Sequence, residues 1–269
     1  MNRAYLDTTV LSDALLKTDG RARGALAQYS RSSLPVYAIK EFGAGPLKNW
    51  IWFYNKLVTN TYRDAIRELH RMAFTPRRYT TLTAIEALEQ VAIQFESMVN
   101  ADVLAKHPEQ TLDQTIRDVY LLHLKRKIVQ AWRRRRDITT EVIQELSCYP
   151  ERAPIFQPGG LVEKRPLGCD HKGECCFAVE LRKRRPELEI MLKTLKSLPA
   201  KAENQRRIKI LSGFLKNSRF VFGDKECRGL GDVVFALFCP DDAEILTSNI
   251  ADYEPLTTAL KKRSKAIYE

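Results

Sequence analysis

The chain has 269 residues, 44% of them apolar, and carries a formal net charge of +11. This length suits one large domain or two small ones. No apolar run is long enough for a membrane span, and none follows the N-terminus as in a secretory leader. Six cysteines in a chain of this length do not indicate a disulfide scaffold. We therefore expect a cytoplasmic protein with reduced thiols and no membrane partner.

The first 49 residues predict two strands, each followed by a helix. The apolar run at residues 4–6 indicates a strand that ends at Asp7, and the spacing of apolar residues over 11–29 is typical of a helix. A second strand is predicted at residues 36–39, directly before Glu41, where another helix begins.

The middle of the chain predicts helices. From residue 50 to about residue 150 the pattern is helical, and its first part, residues 50–74, fits one long amphipathic helix. Two further helices are expected over about 81–105 and 111–146. The segment 149–173 is rich in proline and glycine, so it is predicted to be a loop or a junction.

The C-terminal part restores an alternation of helix and strand. Helices are expected at about 186–198, 204–216 and 231–238, and a strand at residues 244–246. Strands that alternate with helices at both ends of the chain predict an α/β fold with a largely parallel sheet. We therefore interpret the chain as one α/β domain, residues 1–49 and 220–269, interrupted by a large helical insertion at residues 50–219.

Acidic residues stand beside three of these apolar stretches. Asp7 follows the first strand, Glu41 follows the second, and Asp232 begins the helix after two glycines. Ligands gather outside the carboxyl ends of parallel strands, so these side chains are expected to meet. Carboxylates repel one another unless cations hold them together, and Mg²⁺ or Mn²⁺ prefers oxygen ligands. The alternative is that each acid merely caps or begins its own helix.

Four short motifs resemble the successive motifs of the PIN domain, a nuclease fold that cleaves RNA with divalent metal. In chain order they read AYLDTTVLSDAL, YAIKEFGAGPL, GLGDVVFAL and AEILTSNIADYEPL. The resemblance covers about residues 1–49 and 220–260, and the evidence lies in the ordered set of motifs.

The resemblance implies a PIN-like sheet and a metal site built from Asp7, Glu41 and Asp232. The fourth acidic position of the family falls on Asn249, with Asp252 three residues further on. Asparagine still offers a carbonyl oxygen, but a second metal ion would bind more weakly there. Supporting roles are implied for Thr247, a hydroxyl residue at the end of the last strand, and for Thr9.

The positive charge is concentrated in one quarter of the chain. Residues 121–186 contain fifteen lysines or arginines and eight acids, a net charge of +7. Such clusters attract polyanions through counterion release, so nucleic acid is the expected partner. The alternative is a solvated helix face. The densest runs are Lys125, Arg126 and Lys127; Arg133, Arg134, Arg135 and Arg136; and Arg182, Lys183, Arg184 and Arg185.

A cysteine-rich stretch follows the junction. Cys169, His171, Cys175 and Cys176 lie within eight residues. They offer ligands for a structural Zn²⁺, with Cys148 or Cys227 completing a tetrahedron. The spacing is not a regular pair of CxxC motifs, so buried free thiols are the alternative interpretation.

Together these patterns predict a Mg²⁺- or Mn²⁺-dependent endoribonuclease whose helical insertion provides a basic binding surface. RNA is preferred over DNA as the substrate, although phosphate chemistry and basic patches serve both polymers. The other alternative is a catalytically silent module that binds nucleic acid or assembles with a protein partner or inhibitor. Asn249 favours the silent module, whereas the intact Asp7, Glu41 and Asp232 favour the enzyme.

Overall fold

The computed structural model describes residues 3–17, 20–73, 108–146, 154–162, 175–220 and 222–268, together with residues 85, 88, 89, 93 and 105. The described strands form one parallel sheet with the order β3-β2-β1-β4-β5. Their bounds are β1 (Arg3–Leu6), β2 (Arg31–Pro35), β3 (Glu141–Ile143), β4 (Ala243–Thr247) and β5 (Arg263–Ala266). The protein is therefore of the α/β class, as predicted.

Helices from both the N-terminal and the C-terminal parts of the described chain contact this sheet, and further helices pack on those helices. The described helices are α1 (Thr8–Leu11), α2 (Gly20–Ala27), α3 (Val36–Ala44), α4 (Pro46–Thr59), α5 (Tyr62–Ala73), α6 (Leu112–Arg134), α7 (Cys176–Lys183), α8 (Arg185–Ser197), α9 (Ala202–Lys216), α10 (Asp224–Gly229), α11 (Gly231–Phe238) and α12 (Ile250–Ala259). A π-helical turn, Ser12–Leu16, continues α1. No helix among the described residues has both the length and the apolar character that crossing a membrane requires.

The core centres on β1, which lies between β2 and β4. Ala4, Tyr5 and Leu6 are fully buried, as expected for a central parallel strand that is covered on both faces. The ring of Phe235 on α11 meets Tyr5 edge to face, with ring centroids 6.3 Å apart. The strands β1 and β4 and the helices α8, α9 and α11 lie where the sequence predicts them, and the bounds of α11 agree to the residue.

The second strand was placed wrongly by the sequence pattern. Residues 36–39 begin α3, and the strand is the more polar stretch Arg31–Pro35 before them. The carboxylate of Glu145 accepts hydrogen bonds from the backbone N–H groups of Val36 at 2.9 Å and Tyr37 at 2.7 Å. This distant side chain satisfies the open N–H groups of the first helical turn, so the apolar run continues as a helix.

The predicted helix over residues 50–74 is two helices. Asn60 has an extended backbone, with φ −134° and ψ 173°, which ends α4. The side chain of Asp113 then accepts hydrogen bonds from the N–H groups of Tyr62 at 3.0 Å and Arg63 at 3.1 Å, at the start of α5. The break exists because a carboxylate about fifty residues away caps the second helix.

Two strands were missed. Residues 141–143, predicted to be helical, form β3, which pairs with β2 in the central sheet. The short strand β5 follows α12 and pairs with β4. Both are edge strands of three or four residues, which is too short for a clear alternation of apolar and polar residues. The division of the chain into two half-domains and an insertion stays a prediction, and β3 lies within the range of that insertion.

Candidate active site at the carboxyl edge of the sheet

A cleft of about 570 Å³ lies at the carboxyl ends of the strands. The strand order reverses between β1 and β4, and such a switch point is where open parallel sheets bind ligands. The backbone N–H of Asp7 donates to the carbonyl of Leu246 at 3.1 Å, so the ends of the two strands are held together. Of the sequence-predicted site residues, the cleft is lined by Asp7, Thr9, Glu41, Asp232, Asn249 and Asp252.

Asp7 is buried and accepts four hydrogen bonds. Its Oδ1 accepts from the backbone N–H of Thr8 at 2.6 Å and from the hydroxyl of Tyr253 at 2.9 Å. Its Oδ2 accepts from the hydroxyls of Thr9 at 2.7 Å and Thr247 at 2.8 Å. Burial raises the pKa of Asp7 above its usual value, and these hydrogen bonds oppose the rise because they favour the charged form. Asp7 caps α1 and also faces the cleft.

The two threonine hydroxyls join the ends of β1 and β4. The hydroxyl of Thr9 accepts from the N–H of Ser248 at 3.0 Å, and that of Thr247 accepts from the N–H of Asn249 at 3.0 Å. Each hydroxyl also donates to Asp7, as described above. Thr247 does not line the cleft itself, but it orients the carboxylate that does. This network explains why small oxygen-bearing side chains follow both strands.

Glu41 lies on α3 and points toward Asp7. Its Oε2 accepts from the hydroxyl of Thr8 at 2.9 Å. Burial and the nearby Asp7 raise the pKa of Glu41 from 4.5 to about 7, while Thr8 and Lys40 act in the opposite direction. A Cβ at Gly231 would lie 2.6 Å from Oε1 of Glu41. Because Gly231, at the start of α11, has no side chain, the carboxylate of Glu41 has room to lie there.

Asp232 and Asp252 share an arginine. The Nη2 of Arg207 donates to Oδ2 of Asp232, and the same nitrogen lies 4.0 Å from Oδ2 of Asp252. The Nδ2 of Asn249 donates to Oδ2 of Asp252 at 2.5 Å. Asp232 makes no capping hydrogen bond at the start of α11, so its side chain serves the ion pair instead. The arginine side chain is only 8% exposed.

The cleft does not present a preformed metal centre. Among the described residues, no group of three or more His, Cys, Asp or Glu side chains has the geometry to hold a metal ion. The contacts supply the reason. Each carboxylate oxygen of Asp7 already accepts two hydrogen bonds. The carboxylate of Asp232 contacts Arg207 and not Asp7.

Several cleft residues were missed by the sequence pattern. Three arginines and a lysine line the cleft, namely Arg206, Arg207, Arg228 and Lys48. The paired arginines lie on α9, a helix whose place was predicted but whose direction toward the site has no local signal. Tyr253 was also missed. It lies one helical turn after Asn249, and that spacing is the signal that would have found it.

Part of the lining of the cleft is apolar. Trp52 and Met72, from α4 and α5, line it together with Pro46. The neighbouring Trp50 and Phe53 are fully buried in the core. The aromatic residues of α4 thus serve mainly in packing, and Trp52 is the one that lines the cleft among Trp50, Trp52, Phe53 and Tyr54.

The basic runs lie apart from the lining of the cleft in the described part of the chain. Lys125 and Arg126, on α6, are exposed, and Lys127 is half-buried; Arg133, Arg134 and Arg136, at the end of α6, are exposed as well. Arg135 is buried, with its guanidinium 3.9 Å from the centroid of the Trp132 ring. Burial and the adjacent Arg136 lower the pKa of Arg135 from 12.5 to about 10.

The third basic run is largely paired with acids of its own helices. Lys183 lies 2.7 Å from Glu180, Arg185 lies 2.9 Å from Glu189, and Arg184 lies 3.8 Å from Glu187. Arg182 donates to the carbonyl of Ser218 at 2.5 Å. These contacts are those of a solvated helix face, the alternative interpretation of this run.

The zinc prediction falls partly outside the described residues. Cys148, Cys169 and His171 lie there. Within the described residues, Cys175, Cys176 and Cys227 form no disulfide bond, and Cys175 and Cys227 are buried. Tyr37 donates to the backbone carbonyl of Cys227 at 2.9 Å, which ties this residue to α3.

Fold and site together define an α/β protein with an acidic cleft, walled by arginines, at the switch point of a five-stranded parallel sheet. No protein-family model, curated protein or solved structure matches this chain. The functional argument therefore depends on the residues of the cleft.

Proposed function

We propose that this cleft hydrolyses phosphodiester bonds of nucleic acid with the help of a divalent cation, and that the chain is an endoribonuclease of the PIN type. One observation carries the proposal: the buried carboxylate of Asp7 and the half-buried carboxylate of Glu41 line the same cleft as Arg206, Arg207 and Arg228. The two carboxylates attract a cation, and the three arginines attract the phosphates on which the cation would act.

The residues present fit Mg²⁺ or Mn²⁺ at Asp7 and Glu41. The side-chain donors around these two acids are oxygen groups, which hard cations prefer. Three of the four hydrogen bonds to Asp7 come from hydroxyls, which rotate and can turn a lone pair toward a cation. When bound, such an ion polarises a phosphoryl oxygen and lowers the pKa of a coordinated water.

The protein's own side chains have three tasks in this proposal. Thr9 and Thr247 hold Asp7 in one orientation across the ends of β1 and β4. Arg206 and Arg228 bind the phosphates that flank the scissile bond, because a guanidinium matches phosphate geometry. Trp52 and Met72, which line the same cleft, exclude water from the space around their side chains.

The order of the four PIN-like motifs supports the family assignment, and the parallel α/β sheet is compatible with it. RNA as the preferred polymer and a reduced cytoplasmic setting are parts of the same proposal. A specific observation also favours the silent module: Asn249 is uncharged, and Asp232 is engaged by Arg207. A cleft that kept this arrangement with substrate bound would hold nucleic acid without cutting it.

Incubation of the purified chain with single-stranded and structured RNA and DNA, with Mn²⁺ or with EDTA, tests the proposal. We expect cleavage with Mn²⁺ that EDTA abolishes. Asp7→Asn should reduce the rate by more than about 100-fold, because the amide keeps the shape and removes the charge that a metal needs. Asp13→Asn is the matched control, since Asp13 is equally buried (3% exposed) but binds Lys17 and Tyr268 outside the cleft.

Native cleavage rates in Asp7→Asn would show that the metal site is assigned wrongly. Binding of RNA without cleavage, in Mg²⁺ and in Mn²⁺ and across the whole panel, would favour the silent module. Cleavage of DNA alone would retain the metal site and change the substrate.

A further inference from the structure

The cleft contains two pairs of acids with different counter-charges. Asp7 and Glu41, at β1 and α3, receive their hydrogen bonds from hydroxyls and from a backbone N–H. Asp232 and Asp252, at α11 and α12, face the guanidinium of Arg207. Asp232 thus lies in direct contact with a cation of the chain, whereas the cation that acts on the other pair is Lys40, which lowers the pKa of Glu41.

We propose that Arg207 takes the place of a second divalent cation, so that the cleft binds one metal ion at Asp7 and Glu41. This inference rests on the proposed function, and it assigns to α9 a residue that completes the site. Its guanidinium supplies the positive charge that a second ion would otherwise bring to Asp232 and Asp252.

Burial and charge make Arg207 suitable for this role. A guanidinium remains charged at any pH that a folded protein meets, so Arg207 is always a cation beside Asp232. Its Nη1 also donates to Oδ1 of Asn204 at 3.3 Å, one turn earlier on α9, which fixes the plane of the group. A metal ion at this position would have to displace a buried arginine and leave its charge without a partner, which is costly.

The neutral Asn249 agrees with this arrangement. A second divalent ion needs several carboxylates, whereas one arginine is balanced by fewer negative charges. The Nδ2 of Asn249 donates to Oδ2 of Asp252 at 2.5 Å, so the asparagine holds the acid that faces Arg207. An aspartate in its place would add repulsion to Asp252 instead. The amide is thus matched to a site with an arginine.

Arg207 also lines the cleft, so its remaining N–H groups can reach a bound phosphate. A guanidinium presents five donors in a plane. Its contacts to Asn204 and Asp232 use one on each terminal nitrogen. The same group would then stabilise the negative charge that develops on a phosphate during hydrolysis.

Metal stoichiometry in the absence of substrate tests the inference without any measurement of activity. Equilibrium dialysis against Mn²⁺ should give one bound ion per native chain. Arg207→Gln frees Asp232 and Asp252 and should bind a second ion, whereas Arg207→Lys keeps the charge and should bind one. Arg206→Gln is the matched control, because Arg206 lines the same cleft but donates to the carbonyl of Lys225. It should also bind one.

A second variant guards against misfolding of Arg207→Gln. Asp232→Asn should still bind one ion, with an affinity within about threefold of the native value, because the ion lies at the other pair of acids. Two ions per native chain, one ion per folded Arg207→Gln chain, or a lost ion in Asp232→Asn would overturn the inference and leave the proposed function standing. No bound Mn²⁺ in the native chain would instead refute the metal site of the proposed function.

Discussion

The hydroxyl of Tyr253 donates to Oδ1 of Asp7 at 2.9 Å, across 246 positions of the sequence. This bond joins the first strand to α12, the helix that follows β4. Burial, Asp7 and Glu41 raise the pKa of Tyr253 well above its usual value, so the hydroxyl keeps its proton and remains a donor. The position of Asp7 in the cleft thus depends on a side chain from the other end of the chain.

Replacing Tyr253 with Phe should remove that donor while it keeps the ring in the core. We expect the free energy of unfolding to fall by about 1–2 kcal/mol, because a charged acceptor loses one of its four partners. Urea denaturation without metal measures this loss. Tyr29→Phe is the control, since its hydroxyl donates to Glu244 at 2.8 Å in a partly exposed place and should matter less. Equal losses in both variants would contradict the special role of Tyr253.

Gly231→Ala should displace Glu41 without unfolding the protein. The new Cβ would lie 2.6 Å from Oε1 of Glu41, and that oxygen ends a flexible side chain. We expect a change of less than about 1 kcal/mol in the free energy of unfolding and roughly a tenfold loss of Mn²⁺ affinity. Calorimetric titration with Mn²⁺ and thermal melting measure the two quantities.

Gly24→Ala is the control for that substitution. Gly24 lies in α2 with no atom within 4 Å of an added Cβ, so alanine should stabilise the helix by about 0.5–1 kcal/mol. Unchanged Mn²⁺ affinity in Gly231→Ala would mean that Glu41 does not bind the ion.

Glu145 should make the stability of the protein fall as the pH rises. Burial raises the pKa of this carboxyl from 4.5 to about 7, so the folded chain holds its proton more tightly than the unfolded chain. The resulting stability is fully present below about pH 4.5 and is lost as the pH approaches 7. Glu41, with its pKa also raised to about 7, acts in the same direction.

Glu145→Gln removes this titration, because the amide stays neutral at every pH. The free energy of unfolding of the native chain should decrease between pH 5 and pH 7.5. In the variant this decrease should be smaller by roughly 1–3 kcal/mol. Urea denaturation in the presence of EDTA, at a series of pH values, measures the difference. Parallel curves for the two proteins would show that Glu145, the cap of α3, does not titrate in this range.

The arginine run at the end of α6 should divide into two groups. If it binds nucleic acid, replacing the exposed Arg133, Arg134 and Arg136 with Ala should reduce the salt dependence of binding by about three units of slope. Filter binding at several salt concentrations measures it. Arg135→Ala should instead lower the melting temperature, because that side chain is buried against Trp132. An unchanged slope in the triple variant would identify the run as a solvated face.

The sequence by itself determined the elements that depend on short-range patterns. The strands β1 and β4 are short apolar runs between polar residues, and the helix α11 is an apolar run that begins after glycine. Burial on both faces requires such runs in a central parallel sheet, so their pattern is readable without partners. The same logic placed Asp7 and Asn249 at the ends of neighbouring strands, and the structure brings them to one cleft.

Only the tertiary structure decided where β2 ends and α3 begins. Ser32 and Ser33 are buried in β2 because Thr140 and Glu141 satisfy their polar atoms, and Glu145 provides the cap that makes residues 36–39 helical. These partners lie more than one hundred positions away, so no local pattern contains them. The contact between Arg207 and Asp232 is also non-local, because the packing of α9 against the start of α11 determines which cation lies beside the acid.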